Sequence, residues 1–312
     1  MSFIETLNEK FPIRRKDAQK KAFREWFIQM AGEMGYDTRV DTAETKLEGG
    51  GGHQNVVVGD PETAQAIFTA HYDTPAASFL PNVMTPRNRL FFWAYQLLQV
   101  GILVILGVSV GVPLAVITGD DYLGFLAGYA VYMALLFLMI FGPANKHNVN
   151  DNTSGVAAIL ELMARIPEED RAKAAFILFD NEEKGCRGSK AYAKAHPAVK
   201  ENGFIVNLDC VGDGEHILLL SGAKSRELSQ YAAMEAGMNA RMGREVHFFP
   251  LESSVFNSDQ KNFKVATAVC ACNKGKHIGY CCDRIHTSED TVCDQQNLDV
   301  LAEGFAEMIT RL

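Results

Sequence analysis

AAFILFDNEEKGCRGSKAYAKA, residues 174–195, runs from six apolar residues into two adjacent glutamates and then into a helix-like stretch. Ala174–Phe179 predicts a buried strand and Ser189–Ala195 a helix. Asn55–Val58, Ala66–Ala70, Phe204–Leu208, Ile217–Leu220, Val246–Phe249 and Thr267–Cys270 are further strand candidates. Ser154–Ile166, Ser225–Ala236 and Leu298–Arg311 are further helix candidates. Strands alternating with helices predict an α/β fold: an open, largely parallel sheet with helices on both faces. The glycine run Gly49–Gly52 reads as a turn between strands, because it lacks the strand–helix context of a phosphate loop.

The chain has 312 residues, of which 47% are hydrophobic and 22% charged, so a sizeable core is expected and disorder is not. A net charge of −8 without a recurring basic face excludes a nucleic-acid binder. The first residues, MSFIETLNEKFPIRRK, lack the apolar stretch of an export signal. With seven cysteines, that predicts reduced thiols on a cytosolic catalytic domain. Residues 14–34 predict an amphipathic helix with Phe23, Trp26, Phe27 and Met30 on its apolar stripe. Its basic residues Arg14, Arg15, Lys16, Lys20, Lys21 and Arg24 read as a solvated face, or else as attraction to an anionic membrane surface.

One region breaks the alternation. Leu90–Ile117 and Tyr122–Gly142 carry no charge, and each is long enough to cross a bilayer, which takes about 20 apolar residues. Arg87 and Arg89 precede the first run, Lys146 follows the second, and Asp120 and Asp121 lie between them. That is the pattern of a transmembrane hairpin with both ends cytoplasmic. Gly107, Gly111, Gly124 and Gly128 would allow the helices to approach closely. The competing readings are a pair of buried soluble helices or a dimerisation arm.

Five motifs end or follow the strand-like runs: AHYDTP (70–75), NDNTSGVAAILEL (150–162), FDNEEKGCRGS (179–189), NLDCVGDG (207–214) and RIHTSEDT (284–291). Ligands of open α/β sheets bind outside the carboxyl ends of the strands. His71, Asp73, Glu182, Glu183, Asp209 and His286 are therefore expected on one rim, with Asp151 opening a helix there. Gathered anions need a cation. Carboxylate oxygens and imidazole nitrogens suit zinc, and two ions could share one carboxylate. Of the paired glutamates, one could bind metal while its neighbour stays free to accept a proton.

These motifs resemble the co-catalytic di-zinc aminopeptidases of the secreted bacterial leucyl-aminopeptidase type, which are related to glutaminyl cyclases. The resemblance covers nearly the whole chain except about residues 80–147. It implies a three-layer α/β/α sandwich on a mostly parallel mixed sheet, a single catalytic domain over 1–312 with a hydrophobic hairpin inserted at 85–147. It implies that His71 and Asp209 hold one Zn2+, Glu183 and His286 a second, and that Asp151 bridges them. Glu182 is then the general base, and Asp73 orients the His71 imidazole. The Ser258–Asp259 pair corresponds to the site wall. The implied activity is removal of N-terminal residues from peptides with a free N-terminus. In this family the connection between the His-x-Asp motif and the bridging aspartate is short; here it holds the hairpin, expected to contact a lipid bilayer through residues 90–142. Alternatives are a one-zinc glutaminyl cyclase-like acyltransferase and a non-catalytic membrane scaffold. Cys270, Cys272, Cys281 and Cys282 read as small apolar residues, some lining the pocket near His286, rather than as a structural zinc site. His53, His147, His196, His216, His247 and His277 have no motif partner and receive no role.

Overall fold

The structure is a computed structural model that describes residues 1–43 and 52–312; residues 49–51 of the glycine run lie outside the described residues. Among the described residues, nine strands form one mixed sheet: β1 (Thr38–Ala43), β2 (His53–Val58), β3 (Ala66–His71), β4 (Ala174–Phe179), β5 (Ile205–Leu208), β6 (His216–Ser221), β7 (Glu245–Pro250), β8 (Ala266–Gly275) and β9 (Gly279–Cys281). The order is β1-β2-β4-β3-β5-β8-β6-β7, with β9 on β8. The ladders β4–β3, β3–β5, β5–β8 and β6–β7 are parallel; β1–β2, β2–β4, β8–β6 and β8–β9 are antiparallel.

Among the described residues, ten α-helices accompany the sheet: α1 (Phe3–Lys10), α2 (Asp17–Glu33), α3 (Arg89–Thr118), α4 (Asp121–Phe141), α5 (Gly155–Arg165), α6 (Arg187–Ala195), α7 (Pro197–Asn202), α8 (Ala223–Arg226), α9 (Ser229–Asn239) and α10 (Gln295–Arg311). Alternate residues of each central strand point to opposite faces. Val56, Phe68, Phe176, Leu178 and Val206 pack with residues of α1, α2, α5, α9 and α10. Val57, Ile67, Ile177 and Ile205 pack with Tyr192 and Ala193 of α6 and Val199 of α7. Strands covered on both sides read as continuous apolar runs, which is why Ala174–Phe179 is wholly buried.

This topology creates the rim. The chain leaves β3, crosses one face through α5 to β4, then crosses the other through α6 and α7 to β5 on the far side of β3. Connections diverging to opposite faces leave a crevice at the carboxyl ends of the strands between them.

Only part of the expected basic face is solvated: Lys16 and Lys21 are exposed. Arg14, Lys20 and Arg24 are buried. Arg14 donates to the carbonyls of Tyr72 and Phe11 and to the Thr153 hydroxyl. Lys20 pairs with Asp180 at 2.6 Å, and Arg24 donates to the Tyr72 hydroxyl. The acidic rim draws two of them inward, since Asp73 and Asp151 act on Arg14 and Asp180 pairs with Lys20. Lys21 does face solvent, paired with Glu25.

Helices α3 and α4 are long and apolar enough to span a membrane. They are not buried soluble helices: Leu90, Val116, Ile117, Tyr122 and Phe125 are all more than 60% exposed. The two pack against each other through their glycines. A Cβ on Gly107 would lie 2.7 Å from the Gly128 carbonyl oxygen, and one on Gly124 would lie 2.6 Å from that of Gly111 and 2.5 Å from Cβ of Ala115. Gly124→Leu should therefore separate the helices. We expect a lower melting temperature for the detergent-solubilised protein, read by circular dichroism; an unchanged melt would mean that the glycine contacts do not hold the hairpin together.

Candidate metal centre

His71 ends β3, Glu182 and Glu183 follow β4, and Asp209 follows β5. Asp151 lies in the turn before α5, and His286 in the loop between β9 and α10. These elements bring all six side chains to one cavity of about 280 Å³. Nε2 of His71 is 3.2 Å from Oδ1 of Asp151 and 3.7 Å from Oδ1 of Asp209. Nε2 of His286 is 2.9 Å from Oδ2 of Asp151 and 3.5 Å from Oε2 of Glu183. Each Asp151 oxygen thus faces a different imidazole. Two trios, His71/Asp151/Asp209 and Asp151/Glu183/His286, each converge closely enough to hold a metal ion and share Asp151. Nε2 of His71 and Oε1 of Glu183 are buried with no hydrogen-bond partner, as atoms meant for a cation would be. The donor set of imidazole and carboxylate fits zinc.

The Asp73 carboxylate accepts from the backbone N–H groups of Glu182 at 2.9 Å and Glu183 at 3.3 Å. It stands 3.7 Å from Nδ1 of His71, which is nearer the Asp73 main-chain carbonyl, at 3.2 Å. One aspartate therefore ties the His71 strand end to the paired-glutamate turn. Glu182 lines the cavity and accepts from the Cys186 thiol at 3.0 Å.

The charges explain one another. Burial raises the Glu182 carboxyl to about 7, and burial also holds Glu183 well above the ordinary carboxylate range. Burial alone would depress the imidazoles, but the facing carboxylates outweigh it: His71 stands well above its usual value and His286 at about 10. Burial would likewise raise Asp151, yet His286 and His71 pull it below the ordinary range. The cavity draws in protons because it has more buried anion than cation. Divalent ions would supply the same charge.

Several residues that hold this geometry carry no metal-ligand signature in sequence. Asn150 and Asn152 flank Asp151. Oδ1 of Asn150 accepts from the N–H groups of Gly212 and Asp213, and Oδ1 of Asn152 accepts from those of Gly155 and Cys210. Asn152 also donates to the Leu208 carbonyl. The Asp151 turn is thereby tied to the Asp209 turn. Buried Asp290 accepts from the N–H groups of Asn150 at 2.6 Å and Asp151 at 3.0 Å. Asn181, Cys210 and His286 all have φ near +60°, a conformation that side chains other than glycine resist and that costs about 1–3 kcal/mol each. Strain of this kind collects where a backbone must aim a side chain.

Ser258 and Asp259 do not line the cavity. Both are buried behind it, Ser258 accepting from Asn207 and Asp259 from Ser189. The wall is formed instead by Met84, Phe256, Asn257, Lys261 and Ile285. The cavity cysteines are Cys186 and Cys210; Cys270, Cys272 and Cys282 sit in the apolar cluster behind Phe256 and Ile285. All seven cysteines are free. Among the described residues, no cysteine belongs to a metal-sized cluster.

Residues 138–309 match the sequence pattern of peptidase family M28. The chain belongs to this family. No curated protein sequence matches the chain. Three solved structures share the fold, all at low identity. Porphyromonas gingivalis glutaminyl cyclase is 14% identical, with 99% of this chain and 96% of that one covered and a TM-score of 0.61. A Zn-dependent exopeptidase from Parabacteroides distasonis is 13% identical, with 98% and 95% covered and a TM-score of 0.61. A leucine aminopeptidase precursor from Bacteroides thetaiotaomicron is 16% identical, with 99% and 95% covered and a TM-score of 0.58. The M28 match begins at the end of α4 and includes Asp151, Glu182, Glu183, Asp209 and His286, but not His71 or Asp73.

Partners that orient metal ligands are typically worth 10- to 100-fold in metal affinity. Asp290→Ala, which frees the backbone on both sides of the Asn150–Asp151 peptide, should weaken zinc binding by about that factor. Competition with a chromogenic chelator measures it; unchanged affinity would show that Asp290 does not hold the turn.

Proposed function

We propose that this M28 protein is a zinc-dependent aminopeptidase: one catalytic domain over 1–312, with a hairpin at 85–147 that anchors it to a membrane. The observation that carries the two-ion reading is Asp151, whose two oxygens face the two imidazoles separately. In this reading His71 and Asp209 would hold one Zn2+, Glu183 and His286 would hold the second, and Asp151 would serve both. The ions, when bound, supply Lewis acidity and a water that ionises near neutral pH.

The chain's own residues supply the rest. Glu182 lines the same cavity and lies outside both trios that share Asp151; it also converges with His71 and Glu183, and in this reading its carboxylate is kept for moving a proton. Burial raises its carboxyl above the ordinary carboxylate range, which suits it to take a proton from the water nucleophile and return it to the leaving amine. Asp73 fixes the Glu182 and Glu183 backbone and, near His71 Nδ1, the imidazole's orientation. The small cavity favours one residue at a chain end over the middle of an extended peptide, and Met84, Phe256 and Ile285 favour an apolar side chain.

The hairpin root adjoins this site. Ser78 donates to the His286 carbonyl, Ala77 to that of Pro143, and cavity residue Met84 pairs with Cys282. Arg15 donates to the Ile140 carbonyl at the end of α4. A membrane-embedded hairpin would therefore hold the cavity near the lipid surface, on the cytoplasmic side given Arg87, Arg89 and Lys146. Peptides released from a membrane are the substrates this arrangement favours.

Glu182→Gln should keep its metal and lose about 100- to 10,000-fold in kcat on leucine p-nitroanilide. Turnover at the unmutated rate would remove Glu182 from the proton-transfer role. The unmodified protein should release p-nitroaniline and not cyclise a peptide with an N-terminal glutamine; the opposite pattern would make it an acyltransferase. The protein should also sediment with membranes and resist extraction by salt, and recovery in the soluble fraction without detergent would contradict the anchor.

A further inference from the structure

We propose that His216, Glu245 and His247 form a separate binding site for a zinc-class divalent ion on the edge of the sheet. Strands β6 and β7 pair in parallel, with His216 opposite Glu245 and Leu218 opposite His247. Residues two apart on a strand face the same way, so Glu245 and His247 share the face on which His216 lies. Nδ1 of His216 is 3.1 Å from Nε2 of His247 and 3.2 Å from Oε2 of Glu245. Nε2 of His247 is 3.5 Å from the same carboxylate oxygen. The three atoms form a nearly equilateral triangle, and the group is one of those whose donor atoms converge to metal size.

Geometry and proton count both favour a cation at its centre. Ligands about 2.0–2.1 Å from a tetrahedral zinc lie about 3.3–3.4 Å from one another. The observed spacings bracket that value. Hydrogen bonding alone satisfies the triangle less well. With neutral imidazoles, a single N–H on His216 faces two acceptors, His247 Nε2 and the Glu245 carboxylate, while the Tyr280 hydroxyl stands off His247 Nε2 at a long 3.5 Å. A metal ion accepts a lone pair from all three. Imidazole with carboxylate selects zinc and its neighbours over calcium or magnesium.

The site shares no residue with the Asp151 cavity. Its surroundings point to a structural clamp. The His247 ring stacks on Phe249 and contacts Tyr280 of β9 at 5.2 Å. Phe249 carries the Arg87 guanidinium 4.3 Å above its ring, and Asn88 donates to the Ile278 carbonyl beside β9. Arg87 and Asn88 immediately precede α3. A bound ion would lock the outermost strand to β6 and stiffen the wall against which the hairpin root rests.

The test is zinc content per chain for the full-length protein in detergent, equilibrated at buffered micromolar free zinc, beside His247→Ala and Glu245→Ala. We expect His247→Ala to bind one equivalent fewer than the unmodified chain. Glu245 is mostly exposed, so its removal does not threaten folding. Glu245→Ala should yield the same equivalent to a competing chelator at least tenfold more readily. Because each value is read against the unmodified chain, the result does not depend on how many ions the catalytic cavity takes. Equal zinc content and an equal chelator profile in Glu245→Ala and the unmodified chain would overturn the site, whether or not His247→Ala folds.

Discussion

Too much negative charge is buried around one cavity for the protein to leave it uncompensated, and much of the surrounding structure answers that constraint. Asp73, Asp151, Glu182, Glu183, Asp209 and Asp290 meet at or beside the carboxyl ends of β3, β4 and β5. Without compensation such a group would take up protons or push the strands apart. Part of the compensation comes from the N-terminal segment, whose buried Arg14 and Lys20 sit against β3 and Asp180. Backbone N–H groups aimed at Asp73 and Asp290 supply more. The remainder is the charge that ions at the two Asp151-sharing trios would bring.

The same constraint explains why the turns are tied so heavily to one another. A carboxylate can share two cations only if its position is fixed relative to both imidazoles. Asn150 and Asn152 join the Asp151 turn to the Asp209 turn, Asp290 holds it from below, and Asp73 joins the β3 end to the paired glutamates. His286 reaches the centre from a loop in a left-handed backbone conformation. The hairpin enters and leaves between β3 and this assembly without displacing a candidate ligand. Its root even supplies Met84 to the cavity wall.

Much of this was legible in the sequence where residue type and period coincide. The run Ala174–Phe179 is a strand covered on both faces, and the paired glutamates behind it lie where ligands of such sheets bind. The hairpin helices followed from two long uncharged stretches. What was not legible depended on partners distant in the chain. Thr38–Ala43 has no apolar alternation and pairs only at the sheet's edge, with Val40 40% exposed, so its strand state comes from β2. Arg14 and Lys20 read as surface charge because nothing local reveals the acids they face, and Arg24 because nothing local reveals the Tyr72 hydroxyl. Asn150, Asn152 and Asp290 act through backbone groups, which leave no pattern of side-chain types. His216 and His247, thirty-one residues apart, become neighbours only through the β6–β7 register.

Anomalous scattering at the zinc edge from crystals of the zinc-loaded protein addresses the shared carboxylate most directly. Two ions bridged by Asp151 predict two peaks about 3.5–4 Å apart, one beside His71 and Asp209 and the other beside Glu183 and His286. A single peak there, or peaks that leave either Asp151 oxygen without a metal, would contradict the dinuclear centre.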